Sequence, residues 1–243
     1  MKQFAIIGLG SFGVRMLEKL SEVTDEIIIV DKDADIIEKF KDLAGNAFIA
    51  DALNEQAIEK MVPDSVDAAI VDMGSNIEAS ILLVNSLKKR GIKEIIVKTD
   101  SDERGEVLKI VGATRVVYPD REAALQITPM LVSPILFSFM PIGTSLVMAE
   151  VRVHERFVGL TLVQANFRQK FGVNVIAMRK ENNQDYKYFT PEYKLQSDDV
   201  ILVAGKSEEV VAFTAAEQRG KKRAMTEFLR GIFGEATKGK RRG

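Results

Sequence analysis

The 243-residue chain contains no cysteine, no tryptophan and a single histidine, His154. Without cysteine there is neither a disulfide framework nor a thiolate metal site, which agrees with a cytosolic setting. A lone imidazole leaves little for histidine-based catalysis, and no GxSxG elbow, metal-ligand cluster or Walker-type GK[ST] loop occurs. No cationic-then-apolar leader precedes Phe4, so no signal peptide is expected. The longest stretch without charge, residues 123–149, has the length of a membrane span. Pro129, Pro134, Pro141 and Gly143 interrupt it and no basic flank marks an inner end, so a span is not expected.

Charge of one sign is also lacking overall, with 34 Lys and Arg against 35 Asp and Glu. The balance hides an asymmetry: residues 216–243 hold nine basic and three acidic side chains, a net of +6, on an otherwise acidic body. A nucleic-acid-binding domain needs a basic face on folded structure, so no nucleic-acid partner is expected. The basic tail, 217–243, reads either as a short apolar-faced helix that meets a membrane protein or anionic lipid, or as a frayed end.

What is present is a regular alternation. Apolar, β-branched runs at 3–8, 26–30, 47–50, 68–72, 94–98 and 115–118 are separated by amphipathic helical segments. The clearest is NIEASILLVNSLKKRG, where Ile77, Ser80, Ile81, Val84 and Leu87 share a face and Gly91 supplies the stop. Strands that do not alternate polar with apolar are covered on both sides, which predicts an α/β fold: a Rossmann-type, doubly wound parallel sheet over residues 1–119. Residues 120–144 are expected to form crossover helices, at 121–130 and 135–140, with an apolar surface covered by a second subunit. Asp120 reads as a helix N-cap or as one ligand of a divalent ion. Beyond them, SLVMAEVRV, VNVIAMRK, DYKYFT and DDVILVAG read as strands of a smaller α+β domain, 145–216, closed by a helix with Ser207 as its cap.

The stretch AIIGLGSFG is a GxGxxG turn that follows an apolar strand and opens a helix. Gly8 permits the tight turn, Gly10 clears space for a pyrophosphate and Gly13 lets helix and strand pack closely. The amides of this turn, including Ser11 and Phe12, and the positive end of the helix dipole then face phosphate. Asp31, eighteen residues past Gly13, stands where a carboxylate receives both ribose hydroxyls, with Lys32 beside it. In DKDAD it also reads as a helix cap. With no Arg close behind, a 2′-phosphate is not expected, while ATP, ADP and NAD(H) stay equally open. At the carboxyl ends of later strands come Asp51 and Ala52, then Met73, Gly74, Ser75 and Asn76, then Lys98, which reads as a phosphate contact or as a solvated surface lysine.

At these residues the chain resembles a known family. FAIIGLGSFG, IIIVDKDADIIEKF, AFIADALNEQAI, AAIVDMGSNIEASILLVNSLKKRG and IIVKTDSDERGEVLKIVGATRVVYPDREAA resemble the RCK (KTN, TrkA-N) domain in its Ktr-type form. Residues 145–216 are similar to the TrkA-C (RCK-C) domain that follows it. The resemblance implies a cytoplasmic regulatory subunit, peripheral to the inner face of the cell membrane through its partner, a potassium channel or transporter. It implies dimers that assemble into an octameric ring, nucleotide in the Rossmann cleft, and in some relatives cyclic di-AMP at the C-terminal domain. Relatives that recognise ATP often carry Arg between the second and third glycines, where this chain has Ser11; Arg15, further into the helix, is the alternative. The competing reading is an NAD-dependent oxidoreductase, for which His154 would have to be the acid or base.

Overall fold

Successive residues of a strand point to opposite faces, and here both faces are apolar. Ala5, Ile7, Ile28, Val30, Ala69 and Val71 pack into one core layer with Leu83, Val84 and Leu87. Ile6, Ile27, Ile29 and Ile70 pack into another with Leu17 and Ile37. That two-sided demand explains the continuous apolar runs. The computed structural model describes residues 2–143 and 145–214, so the expected basic tail, 217–243, lies outside the described residues. These residues divide into two units, one ending at Arg121 and the next beginning at Glu122.

In the first unit, strands β1 (Phe4–Ile7), β2 (Ile27–Asp31), β3 (Asn46–Ile49), β4 (Ala68–Val71), β5 (Glu94–Lys98) and β6 (Arg115–Val117) form one sheet. They alternate with helices α1 (Ser11–Ser21), α2 (Ala34–Phe40), α3 (Glu55–Met61), α4 (Ile77–Lys89) and α5 (Asp102–Val111). All pairings are parallel, in the order β3-β2-β1-β4-β5-β6. The Rossmann-type doubly wound sheet is therefore present. Its order reverses between β1 and β4, so the loops leaving those strands diverge and open a crevice at their carboxyl ends. Local sequence sets the helix starts: Asp33, Asn54, Asn76 and Ser101 accept amide hydrogen bonds as N-caps of α2, α3, α4 and α5.

Helix α6 (Pro119–Val132) contains the point of division. It begins at Pro119, whose missing N–H is harmless in a first turn, so Asp120 lies inside the helix and is not its N-cap. The second unit has an antiparallel sheet ordered β7-β8-β10-β9, from β7 (Leu136–Ile142), β8 (Leu146–Arg152), β9 (Asn174–Lys180) and β10 (Asp199–Lys206). Short helices α7 (Leu162–Ala165), α8 (Phe167–Phe171) and α9 (Ser207–Thr214) complete it.

Three expectations are corrected here. The stretch 135–140, read as a crossover helix within 120–144, lies largely in strand β7, paired with β8. Pro141, which reads as a breaker, sits on the edge strand, where a missing donor is tolerated. DYKYFT is not a strand; only Lys187 bridges to Met178, and Tyr188 is exposed. Ser207 does not cap α9: its buried hydroxyl has no hydrogen-bond partner, and the Glu209 carboxylate instead accepts from the amide of Lys206 at 3.1 Å. The uncharged stretch 123–149 is thus shared among α6, β7 and β8, and among the described residues no helix is long and apolar enough to cross a membrane.

The core of the second unit centres on Phe157, Phe167, Phe171 and Phe213, with Phe157 and Phe167 ring centroids 4.8 Å apart and Phe167 and Phe213 5.5 Å apart in edge-on contact. Away from it, on β8 and β9, the buried Arg179 guanidinium donates to Glu150 at 2.8 Å, and the Tyr186 hydroxyl donates to the same carboxylate. The hydrogen bond from Arg179 holds the Glu150 carboxyl below its ordinary range.

Two outcomes are expected. Phe167→Ala removes the middle of the ring cluster and should lower the stability of the second unit by about 3–5 kcal/mol in denaturant titration. The stability contributed by ionised Glu150 is fully present above an unfolded-chain pKa of about 4.3 and is lost as pH falls through the lower folded value. Glu150→Gln should therefore flatten the acid limb of the stability-against-pH curve below about pH 4, as read by circular dichroism.

Candidate functional site

Strand β1 ends at Ile7 and delivers the chain into a turn that can exist only with glycine. Gly8 has φ +88°, and a Cβ there would lie 2.1 Å from the Asp72 carbonyl oxygen at the end of β4. At Gly13, inside α1, a Cβ would fall 2.2 Å from the Gly8 carbonyl oxygen. The turn thus brings the start of α1 onto the ends of β1 and β4, at the point where strand order reverses.

A cleft of about 300 Å³ opens there. Of the residues singled out in the sequence, Gly8, Gly10, Asp31, Lys32, Asp51, Ala52, Met73 and Asn76 line it. Ser11, Phe12 and Gly13 lie in α1 just behind the lining, with Ser11 exposed. Gly74 and Ser75 are exposed in the loop between β4 and α4 and are not part of the lining. Lys98 ends β5 and lies behind the lining, its ammonium 3.7 Å from Asp72. Arg15 points away, paired at 2.6 Å with Glu18 on the exposed side of α1.

The Asp31 carboxylate accepts from the Leu9 amide at 2.6 Å and from the Asp33 amide at 2.9 Å. The cap of α2 is Asp33, not Asp31. A carboxylate offers about four acceptor positions, so Asp31 keeps capacity for hydroxyl donors in the cleft. Asp51 accepts from the Leu53 amide at 3.0 Å and so shapes the loop after β3, while the Asn76 side chain accepts from the Ala79 amide as the cap of α4. Leu53, 49% exposed, and the half-buried Ile36 add an apolar rim.

Sequence reading missed the most connected residue of the site. Asp72 follows β4 with its carboxylate fully buried, and it accepts from the amides of Phe12 and Gly13, both at 3.0 Å, and of Gly74 at 3.3 Å. Gly10, the N-cap of α1, contributes no side-chain bond, so Asp72 caps that helix from another strand. A Cβ at Gly10 would lie 2.4 Å from the Asp72 Oδ2, so the space cleared by this glycine holds a carboxylate of the protein itself. The signal in sequence was an acidic residue closing the otherwise apolar run AAIVD, which reads simply as the end of a strand. Chemically the cleft offers an apolar wall, a hydroxyl-accepting carboxylate on one side and, on the other, a helix N-terminus whose Phe12 and Gly13 amides Asp72 already holds. Among the described residues no group of three His, Cys, Asp or Glu side chains, Asp120 included, could hold a metal.

The chain matches the TrkA-N domain over residues 4–119 and the TrkA-C domain over residues 146–216. It is 30% identical to Ktr system potassium uptake protein C of Bacillus subtilis (strain 168) over 212 residues, 87% of this chain and 96% of that protein. It is 27% identical to Ktr system potassium uptake protein A of Vibrio alginolyticus over 209 residues, 86% of this chain and 94% of that protein. In fold it is similar to the RCK domain of GsuK, with a TM-score of 0.62 at 17% identity over 88% of this chain, while spanning 47% of that one. A second similar structure is the GsuK channel bound to NAD, with a TM-score of 0.60 at 17% identity over 88% of this chain and 39% of that one. Two domain matches in the expected order, and identity running along nearly the whole of a Ktr protein, have one explanation: the chain belongs to the TrkA-N/TrkA-C (RCK) family, on the Ktr branch.

Proposed function

We propose that this chain is the nucleotide-sensing regulatory subunit of a Ktr/Trk-type potassium uptake system. It acts in the cytoplasm, against the inner face of the membrane through a channel or transporter partner. The observation that carries the reading is the cleft between the ends of β1 and β4, where a hydroxyl-accepting carboxylate faces a helix N-terminus in a chain related over 87% of its length to a Ktr uptake protein. The ligand is an adenine nucleotide, ATP/ADP or NAD(H). Asp31 takes the ribose hydroxyls, the loops of Asp51, Ala52 and Met73 to Asn76 close over the nucleoside, and Leu53 and Ile36 supply apolar contact for the base. Lys98 serves as a counter-charge behind the phosphates.

Function follows from occupancy rather than turnover. A ligand shifts a two-state assembly only by its differential affinity for the two shapes, and a coupling of about 1–3 kcal/mol per site is ordinary. Dimers of residues 1–119, joined through the segment 120–144 and arranged as an octameric ring, would multiply that bias. The oxidoreductase reading needs an acid or base beside a nicotinamide. The single histidine already serves as a cap, its Nδ1 accepting from the Arg156 amide at 3.1 Å. For the C-terminal domain, 145–216, the candidate ligand is cyclic di-AMP, as in some relatives.

Two measurements test this. Asp31→Ala should weaken adenine-nucleotide binding at least about tenfold in calorimetry with the fold intact; unchanged affinity removes Asp31 from the site. Native mass spectrometry of the purified chain should find a large homo-oligomer carrying exchangeable adenine nucleotide and no turnover of alcohols or hydroxy acids. A monomer indifferent to adenosine ligands, or a chain that retains NADH and oxidises such substrates, would overturn the proposal.

A further inference from the structure

The amide cluster at the start of α1 is the place where a GxGxxG turn receives a diphosphate, and in this chain a buried carboxylate already holds it. Asp72 satisfies the amides of Phe12 and Gly13 with the same oxygen, takes the Gly74 amide with the other, and lies 3.7 Å from the Lys98 ammonium. Each of these donors is what an incoming phosphate would use. We propose that Asp72 is the specificity-determining residue of the cleft, an internal carboxylate competitor for the phosphate seat that penalises every ligand depending on that seat. The inference rests on the nucleotide reading of the cleft and specifies its selectivity.

A helix N-terminus favours negative charge, and a carboxylate accepting two of its amides there is stabilised by both bonds and dipole. A diphosphate seated on those amides must displace that carboxylate, leaving a buried charge with only Lys98 and Gly74, or lie beside it and suffer like-charge repulsion. The nucleoside half of the ligand meets no such conflict. Asp31, Ile36 and Leu53 line the cleft without bonding to Asp72, Asp31 being held by the Leu9 and Asp33 amides. Gly10 is part of the same device, because any side chain there would strike the Asp72 carboxylate before it met a ligand. Asp72 also links the start of α1, the loop leaving β4 and the end of β5, so a phosphate that took the Phe12 and Gly13 amides would leave its carboxylate held by the Gly74 amide and Lys98 alone. That gives occupancy a route into the loop that starts α4.

The experiment is calorimetry of ADP and of adenosine, which shares the nucleoside but lacks phosphate, on the full chain and on Asp72→Asn and Asp72→Ala. The first variant keeps the shape and one amide-accepting oxygen but not the charge; the second removes the competitor. ADP should bind both variants about tenfold or more tighter than the unsubstituted chain, with adenosine affinity unchanged within about twofold. In the unsubstituted chain, which needs no variant to fold, ADP should bind no more than about tenfold tighter than adenosine. ADP affinity unchanged or weakened in the variants, equal tightening of both ligands, or a preference for ADP of about a hundredfold in the unsubstituted chain would each overturn the role of Asp72 and leave the cleft reading standing. Failure of ADP and adenosine alike on all three proteins would overturn the cleft reading itself.

Discussion

Between Gly8 and the end of β4 there is room for a hydrogen atom and nothing larger, since a Cβ on Gly8 would sit 2.1 Å from the Asp72 carbonyl oxygen. Everything at the carboxyl edge of the sheet follows from that close approach. It lets β1 and β4 pair along their whole lengths, Phe4 with Ala68 through Ile7 with Val71, while the chain turns directly into α1. It brings the amides of Phe12 and Gly13 within 3.0 Å of a carboxylate from another strand. It also puts Asp31, at the tip of β2, against the Leu9 amide on the other flank of the turn. Two acidic side chains from two strands therefore hold one glycine turn in shape.

The arrangement makes the turn a junction rather than an open receptor. A helix N-terminus left without an acceptor would carry unsatisfied donors, and α1 meets that need with Asp72 instead of a cap from its own sequence. The same contact reaches Gly74 and Lys98, so the start of α1, the loop that follows β4 and the end of β5 share one ionic centre. The second unit is built differently. Its antiparallel sheet packs on a cluster of phenylalanines, and the strongly buried guanidinium of Arg179 is balanced by Glu150 and by carbonyl groups of neighbouring backbone.

Particular elements show where one-dimensional reading succeeds and fails. The central strands β1, β2 and β4 were legible because burial on both faces leaves unbroken apolar runs, the other three by their place in the same alternation, and α4 because its apolar positions recur at helical spacing. Strand β7 was not legible as a strand. Pro134 and Pro141 in the sequence mark it as a breaker-rich linker, and only its place at the sheet edge makes Pro141 acceptable. Ser207 carries the chemistry of a cap, yet burial took its hydroxyl away from the helix start and Glu209 reaches the Lys206 amide instead.

The amino-acid sequence by itself determined the alternation of strands and helices, the glycine turn after the first strand and the acidic tip of the second, because each depends on neighbours a few residues away. It carried the family as well, through several motifs in one order. The role of Asp72 was decided only by the tertiary structure. Its partners Phe12 and Gly13 lie about sixty residues earlier in the chain, and no local rule of spacing connects the end of the fourth strand to the start of the first helix until the sheet order reverses and sets them side by side.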